Sequence, residues 1–412
     1  MNVPDGWRAA ALGEVAPEVK GALTLEASST YELWSVPSFS TGAPETVTGS
    51  QVKSSKRPVV PGDVLLCKIN PRINRVWAVG PAGEHPQVAS PEWIVLRPKA
   101  RDAVDASYLQ LFLSAPHFRE WITTEVSGVT GSHTRAKPAQ VLQQPISFPP
   151  LPEQRRIVET VEEHMAHLDA ADASLASAEQ RARALIASSR ANLVSEGQRL
   201  GVDSTVGVHS TEVAYGSSSK TSDASDGVPV LRMGNIQDGQ LDWSSLKYLP
   251  RDHAEFPKLL LRDGDLLFNR TNSAELVGKS AVFRGERSAS YASYLIRVRF
   301  DDTVLPEWAN LCINSPQGRA HVKSVLAQQV GQANVNGTKL KAFPLPVPPV
   351  EDQRRLLESA DRARRDALRT TQTTHTTRRR SAALRRVVLA AAFSGHLTST
   401  TDPSDLLQES IA

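Results

Sequence analysis

The side chains in this chain best placed to do chemistry are cations and amides, groups that bind rather than catalyse. Residues 51–75 carry six basic residues, Lys53, Lys56, Arg57, Lys68, Arg72 and Arg75, against a single acid, Asp63. Within them, Lys68-Ile69-Asn70-Pro71-Arg72-Ile73-Asn74-Arg75 reads as a loop from its Pro and Asn content, following a strand predicted over 64–67. A second segment of this kind, Asn269-Arg270-Thr271-Asn272, follows a strand predicted over 266–268. Arg and Asn can read guanine and adenine edges by paired hydrogen bonds, whereas Lys mainly meets phosphate. Two further loops are Gly-led and free of acids. Residues 128–137 offer His133, Thr134, Arg135 and Lys137, and residues 331–339 offer Gln332, Asn334, Asn336 and Lys339. Asn70, Asn74, Lys220, Arg232, Asn235, Asn269, Arg270, Asn272 and Lys279 complete the candidate nucleic-acid-facing set. A basic loop is also what an ordinary solvated surface looks like, and the Gly-led loops could simply cap the helices that follow them.

Catalytic patterns are absent. There is no GxGxxG and no DPPY-like or NPPY-like methyltransferase tetrapeptide, since Asn70-Pro71-Arg72-Ile73 lacks the second Pro and the aromatic. Gly278-Lys279-Ser280 resembles the end of a phosphate loop, but Ser273 stands where the required Gly would be. Pro4-Asp5 with Glu18-Val19-Lys20 matches only a loose nuclease spacing that the rest of the chain does not repeat. The ten His residues form neither HExxH nor a His-Cys cluster, so no metal site is expected. His133 reads as a loop donor and His164 as a polar seam residue.

The elements that position these loops are written twice. Gly62-Asp63-Val64-Leu65-Leu66 returns as Gly264-Asp265-Leu266-Leu267-Phe268, and Tyr108-Leu109-Gln110-Leu111-Phe112 as Trp308-Ala309-Asn310-Leu311-Cys312. Pro149-Pro150-Leu151-Pro152-Glu153-Gln154-Arg155-Arg156 returns as Pro348-Pro349-Val350-Glu351-Asp352-Gln353-Arg354-Arg355. Three landmarks in one order, at nearly constant offset, imply a tandem duplication of a globular block followed by a long helix.

The first helix is predicted over 153–196, stopping at Gly197, with a seam of Ile157, Val161, His164, Leu168, Ala171, Leu175, Ala178, Ala182, Leu185 and Ser189 at alternating spacings of four and three. The second carries Leu356, Ala360, Ala363, Ala367, Thr370, Thr374, Thr377, Ser381, Leu384, Val388 and Ala391, with a weak, Thr-rich middle. Residues 153–196 hold five basic and eight acidic side chains, and residues 351–396 eleven and five. Unlike charges favour pairing the helices with each other, antiparallel, and Arg362, Arg364 and Arg365 are expected to contribute. Variation between solvated faces would give the same imbalance.

With 412 residues, 40% apolar, a mean hydropathy of -0.29 and 47 Lys and Arg against 44 Asp and Glu, the composition is that of a soluble multidomain protein without global charge bias. Cys67 and Cys312 stand far apart, which fits a reducing cytosol. The longest apolar run, 387–393, is too short to span a bilayer, so a cytoplasmic location is expected.

Taken together, the chain resembles the specificity subunits of type I DNA restriction-modification systems. The resemblance rests on Phe148-Pro149-Pro150-Leu151-Pro152-Glu153-Gln154-Arg155-Arg156 and its second copy, and on 227–239, from Gly227-Val228-Pro229 to Gln237-Asp238-Gly239. Gly264-Asp265-Leu266-Leu267-Phe268-Asn269-Arg270 and Ala392-Phe393-Ser394-Gly395-His396-Leu397 add to it. It implies a mixed α/β (α+β) fold: two target-recognition domains, 1–152 and 199–350, separated by a long antiparallel two-helix coiled coil of 153–198 and 351–397, pseudo-two-fold, with a tail at 398–412. It further implies a non-catalytic subunit that reads a bipartite site in double-stranded DNA and partners two modification (methyltransferase) subunits and the restriction subunits. S-adenosylmethionine, ATP and Mg would then sit on those partners and no cofactor on this chain. A two-headed DNA-binding adaptor, or a structural scaffold of another defence complex, would share the architecture.

Overall fold

A computed structural model describes residues 3–99, 104–124, 134–223, 225–271, 276–285, 287–327 and 334–397. The chain divides into two compact units, one of residues 1–175 with 376–412 and one of residues 176–375. The division cuts across two long helices, Leu151–Leu200 and Val350–Ser394, so each unit contains one globular block and a segment of both helices.

In the first unit the strand Val64–Cys67 lies between Val76–Ala78 and Trp93–Leu96, antiparallel to both. All four of its residues are buried because both faces are covered, which explains a continuous apolar run where a half-exposed strand would alternate. Val64 and Leu66 belong to a core with Leu109, Phe112 and Ile157, while Leu65 and Cys67 join Trp34, Trp77 and Trp93. A second sheet pairs Thr30–Trp34 in parallel with Gln87–Ala89.

The second unit repeats the plan. Leu266–Asn269 lies between Leu295–Phe300 and Ser280–Val282, with Leu266 and Phe268 packed beside Trp308 and Leu267 beside Leu231 and Tyr291. Val228–Leu231 again pairs in parallel, with Ser290–Tyr291. The repetition reaches single hydrogen bonds. Tyr108 Oη donates to Ser147 O at 2.9 Å, and Trp308 Nε1 donates to Pro346 O at 2.7 Å. Arg97 grips Asp63 through two bonds of 2.7 Å, and Arg299 grips Asp265 through bonds of 2.7 and 3.1 Å.

Both long helices open with acids in the first turn, where the helix N-terminus favours negative charge. Within the second unit Glu179 meets Thr374 and Glu196 meets Arg355, so the paired segments run antiparallel. Every expected seam position of the second helix is buried or half-buried. In the first helix Ala171 is exposed and Leu185 is 50% exposed, with Ile186 turned inward instead. A straight helix drifts against a strict seven-residue repeat, and the seam slips by one position there.

Two readings of the helices need correction. The first helix passes through Gly197 and ends at Leu200. A Cβ on Gly197 would lie 2.4 Å from Trp308 Cζ2, so this glycine serves a close approach of the indole and not a helix stop. The Thr-rich stretch lies within the helix, as expected, with Thr371 Oγ1 donating to Ala367 O and Thr374 Oγ1 donating to Thr371 O and Glu179. Across the helices Arg355 pairs with Glu196, and Arg385 with Asp169 and Asp172, whereas Arg364 pairs along its own helix with Asp361. Among the described residues no helix is long and apolar enough to cross a membrane.

Candidate nucleic-acid interface

The two polar loops of each unit, separate in sequence, are joined in space. In the first unit Lys68 O accepts from Ala136 N at 2.8 Å and Thr134 O accepts from Asn70 N at 3.0 Å, with Ile69 bridged to Arg135. In the second, Arg270 O accepts from Val335 N at 2.8 Å and Thr271 is bridged to Asn334. Lys68 and Arg270 are therefore equivalent: each is the residue that leaves the central strand and meets the second loop.

Around Lys68 the first unit gathers positive charge. Burial, and then the Arg57 guanidinium, lower the Lys68 pKa; Glu92 and Glu18 oppose this, and Arg135 adds to the lowering. Arg57 is held by Glu18 at 2.8 Å and by Val19 O at 3.0 Å. Lys53, Arg72, Arg135 and Lys137 are exposed, and Arg75 and Asn70 are half-buried. The turn Pro71–Ile73 is flanked by Asn70 and Asn74 in the left-handed region, φ 48° and 49°, a conformation that Asn tolerates better than most residues. Arg119 clamps the turn from below through Arg72 O, at 2.8 and 3.1 Å.

Several candidates turn inward. Asn74 Nδ2 donates to Leu113 O at 2.9 Å, which spends that side chain on holding the loop. Lys56 is 5% exposed, with Nζ on Ser54, and Thr134 is also buried. Asn235 is 3% exposed and closes its own turn, accepting from Arg232 N and donating to Asp242 O and Ser245 O. Asn269 is fully buried, with Nδ2 on Leu276 O. Lys56, Asn235 and Asn269, expected among the DNA-facing side chains, are instead buried within the fold. Asn336 is exposed, but its Oδ1 caps the helix Gly337–Lys341 by accepting from Lys339 N at 2.9 Å. Lys220 is exposed, while Arg232, Lys279, Asn334 and Lys339 are half-buried. His133, Asn272 and Gln332 lie outside the described residues.

Sequence reasoning missed two kinds of residue here. Arg119 and Arg319 hold the loops from helices distant in sequence, Arg319 through Val277 O at 2.8 Å. Tyr215 and Tyr294, 44% and 48% exposed, flank Arg270. The only signal for Tyr215 was a large aromatic just ahead of the polar run 217–223. Among the described residues no three His, Cys, Asp or Glu side chains converge as metal ligands, and burial raises the pKa of both thiols, Cys67 and Cys312.

A family model described as the type I restriction modification DNA specificity domain matches residues 4–177. The chain is 26% identical over 323 residues to the type I restriction enzyme EcoKI specificity subunit of Escherichia coli (strain K12), covering 74% of this chain and 68% of that protein. It is 23% identical over 312 residues to the StySPI specificity subunit of Salmonella potsdam, covering 72% and 66%. A solved chain from a study of complex assembly and conformational transition of the type I R-M system matches with a TM-score of 0.77 at 20% identity, covering 96% of this chain and 100% of that one. The HsdS subunit from Thermoanaerobacter tengcongensis matches at 0.64 and 19% identity, covering 96% and 98%. At such identities the two structures establish the fold.

Proposed function

We propose that this chain is a specificity subunit of a type I restriction-modification system, and that its two units read the two halves of a bipartite, asymmetric site in double-stranded DNA. The observation that carries this reading is the repeated joint between two polar loops, which sets a long cation, Lys68 or Arg270, at the same place in both units. The chain itself does no chemistry: it delivers two modification subunits to adenines in the site and recruits the restriction subunits. S-adenosylmethionine, ATP and Mg act on those partners, in the cytoplasm.

Comparing adenine methylation across the host genome with and without this chain tests the proposal. A two-part motif that vanishes with the chain is expected, and replacing residues 1–152 with the matching block of a related subunit should rewrite one part only. Arg270→Ala should relax the other part. Methylation unchanged by removal of the chain would defeat the proposal and favour a scaffold.

A further inference from the structure

An arginine reads a base only if its fork is held in one direction, and the second unit contains a device that does so. The Arg270 guanidinium lies 4.9 Å from the centre of the Tyr215 ring. Its Nη1 donates to Ser293 O at 3.4 Å and its backbone N–H to Tyr294 O at 3.0 Å. Nε is buried and has no hydrogen-bond partner among the described residues, so the Tyr215 ring and Ser293 O, not an ion pair, fix the side chain. The other end of Tyr215 fixes the second loop: Oη accepts from Gly337 N at 2.8 Å. Tyr215 thus ties both loops together through one side chain that remains 44% exposed. The first unit has Lys68 at the equivalent position, a point charge without a fork.

We propose that Tyr215 is the positioning residue of the second unit, and that the Arg270 fork stacked on it reads a guanine in that unit's half-site. The inference rests on the DNA-reading function proposed above. A stacked guanidinium has already lost most of its rotamer freedom, and its donors match the O6 and N7 acceptors of guanine in the major groove. A lysine in this place would contact phosphate with little preference among bases.

Selection of bound duplexes from a randomised pool by the full chain assembled with its modification subunits tests this, using Arg270→Ala, Arg270→Lys, Tyr215→Ala and Tyr215→Phe. The unaltered chain should select a guanine whose preference falls about tenfold in Arg270→Ala. Arg270→Lys should lose that guanine while keeping the salt dependence of binding. Tyr215→Ala should relax the same position and no other, and Tyr215→Phe, which keeps the ring, should restore it. The inference is overturned if Tyr215→Ala or Arg270→Lys keeps the guanine, if Tyr215→Phe loses it as Tyr215→Ala does, or if the position relaxed by Arg270→Ala is not guanine. If the unaltered chain selects no sequence at all, the DNA-reading proposal itself falls.

Discussion

Gln154 Oε1 accepts a hydrogen bond of 2.8 Å from the backbone N–H of Asp105, 49 residues earlier, while its Nε2 donates to Pro149 O at 2.8 Å. Gln353 does the same in the second unit, accepting from Leu305 N and donating to Pro348 O and Thr303 O, each at 2.8 Å. Both carboxamides are fully buried. The repeated Pro-Pro-x-x-x-Gln segment is therefore a staple between the start of each long helix and the chain entering a short helix, Ala106–Ser114 or Pro306–Asn314.

Removing the staple should be costly. Gln154→Ala leaves a buried donor and acceptor without partners and should destabilise the first unit by about 1–3 kcal/mol in denaturant titration. Gln154→Glu can still accept from Asp105 but cannot donate to Pro149, so it should not restore stability at neutral pH. Stability equal to the unaltered chain in both variants would show that the staple is incidental.

Gly197→Ala should also destabilise, against the usual trend for an exposed helical glycine. Helix propensity alone would gain about 1 kcal/mol. A Cβ at 2.4 Å and 2.5 Å from Trp308 Cζ2 and Cη2 requires the indole or the helix to move, and overpacking of this kind costs about 1–3 kcal/mol. The penalty should shrink in a Trp308→Leu background, where the two changes are coupled. A higher melting temperature for Gly197→Ala would refute the close-approach explanation.

Gly197 also shows where sequence reading stops. Periodicity, the duplication and the strands after Gly62-Asp63 and Gly264-Asp265 are local patterns, and they were legible. Whether a glycine ends a helix or admits an indole depends on Trp308, a residue more than a hundred positions away. The same holds for amides: Asn235 and Asn269 sit in polar segments much as Asn70 does, yet two close buried turns and one is half-exposed. The joining of the two loops in each unit was hidden because it runs through backbone hydrogen bonds, which leave no mark on residue type.

Pairing of the helix segments in the first unit should be electrostatic at one point in particular. Arg385 Nη2 reaches Asp169 at 2.7 Å and Asp172 at 2.9 Å. Arg385→Glu should lower stability by about 1 kcal/mol at low salt, since such partly exposed pairs contribute little each and reversal adds repulsion. The effect should diminish in 1 M salt. Arg386→Glu, exposed and without an ion pair among the described residues, is the control. Equal losses in the two variants would mean that charge acts along the whole helix and not through this contact.

Lys68 should trade stability against DNA affinity. Its folded-state pKa is lowered from 10.5 by burial and by Arg57, with Arg135 adding to the effect, so at neutral pH, below both the folded and unfolded values, the charged amine carries its full cost. The unfolded state binds more protons as pH rises through the lowered value, and the cost is relieved on approaching 10.5. Lys68→Met should therefore raise the melting temperature of the free chain at pH 7 and flatten its rise with pH on the approach to 10.5. The same change removes a cation that duplex DNA would neutralise, so binding should weaken alike on all sequences and the log-log salt slope should drop by about one. Unaltered DNA affinity together with raised stability would place Lys68 away from the DNA, leaving the first unit's contacts to Arg72, Arg135 and Lys137.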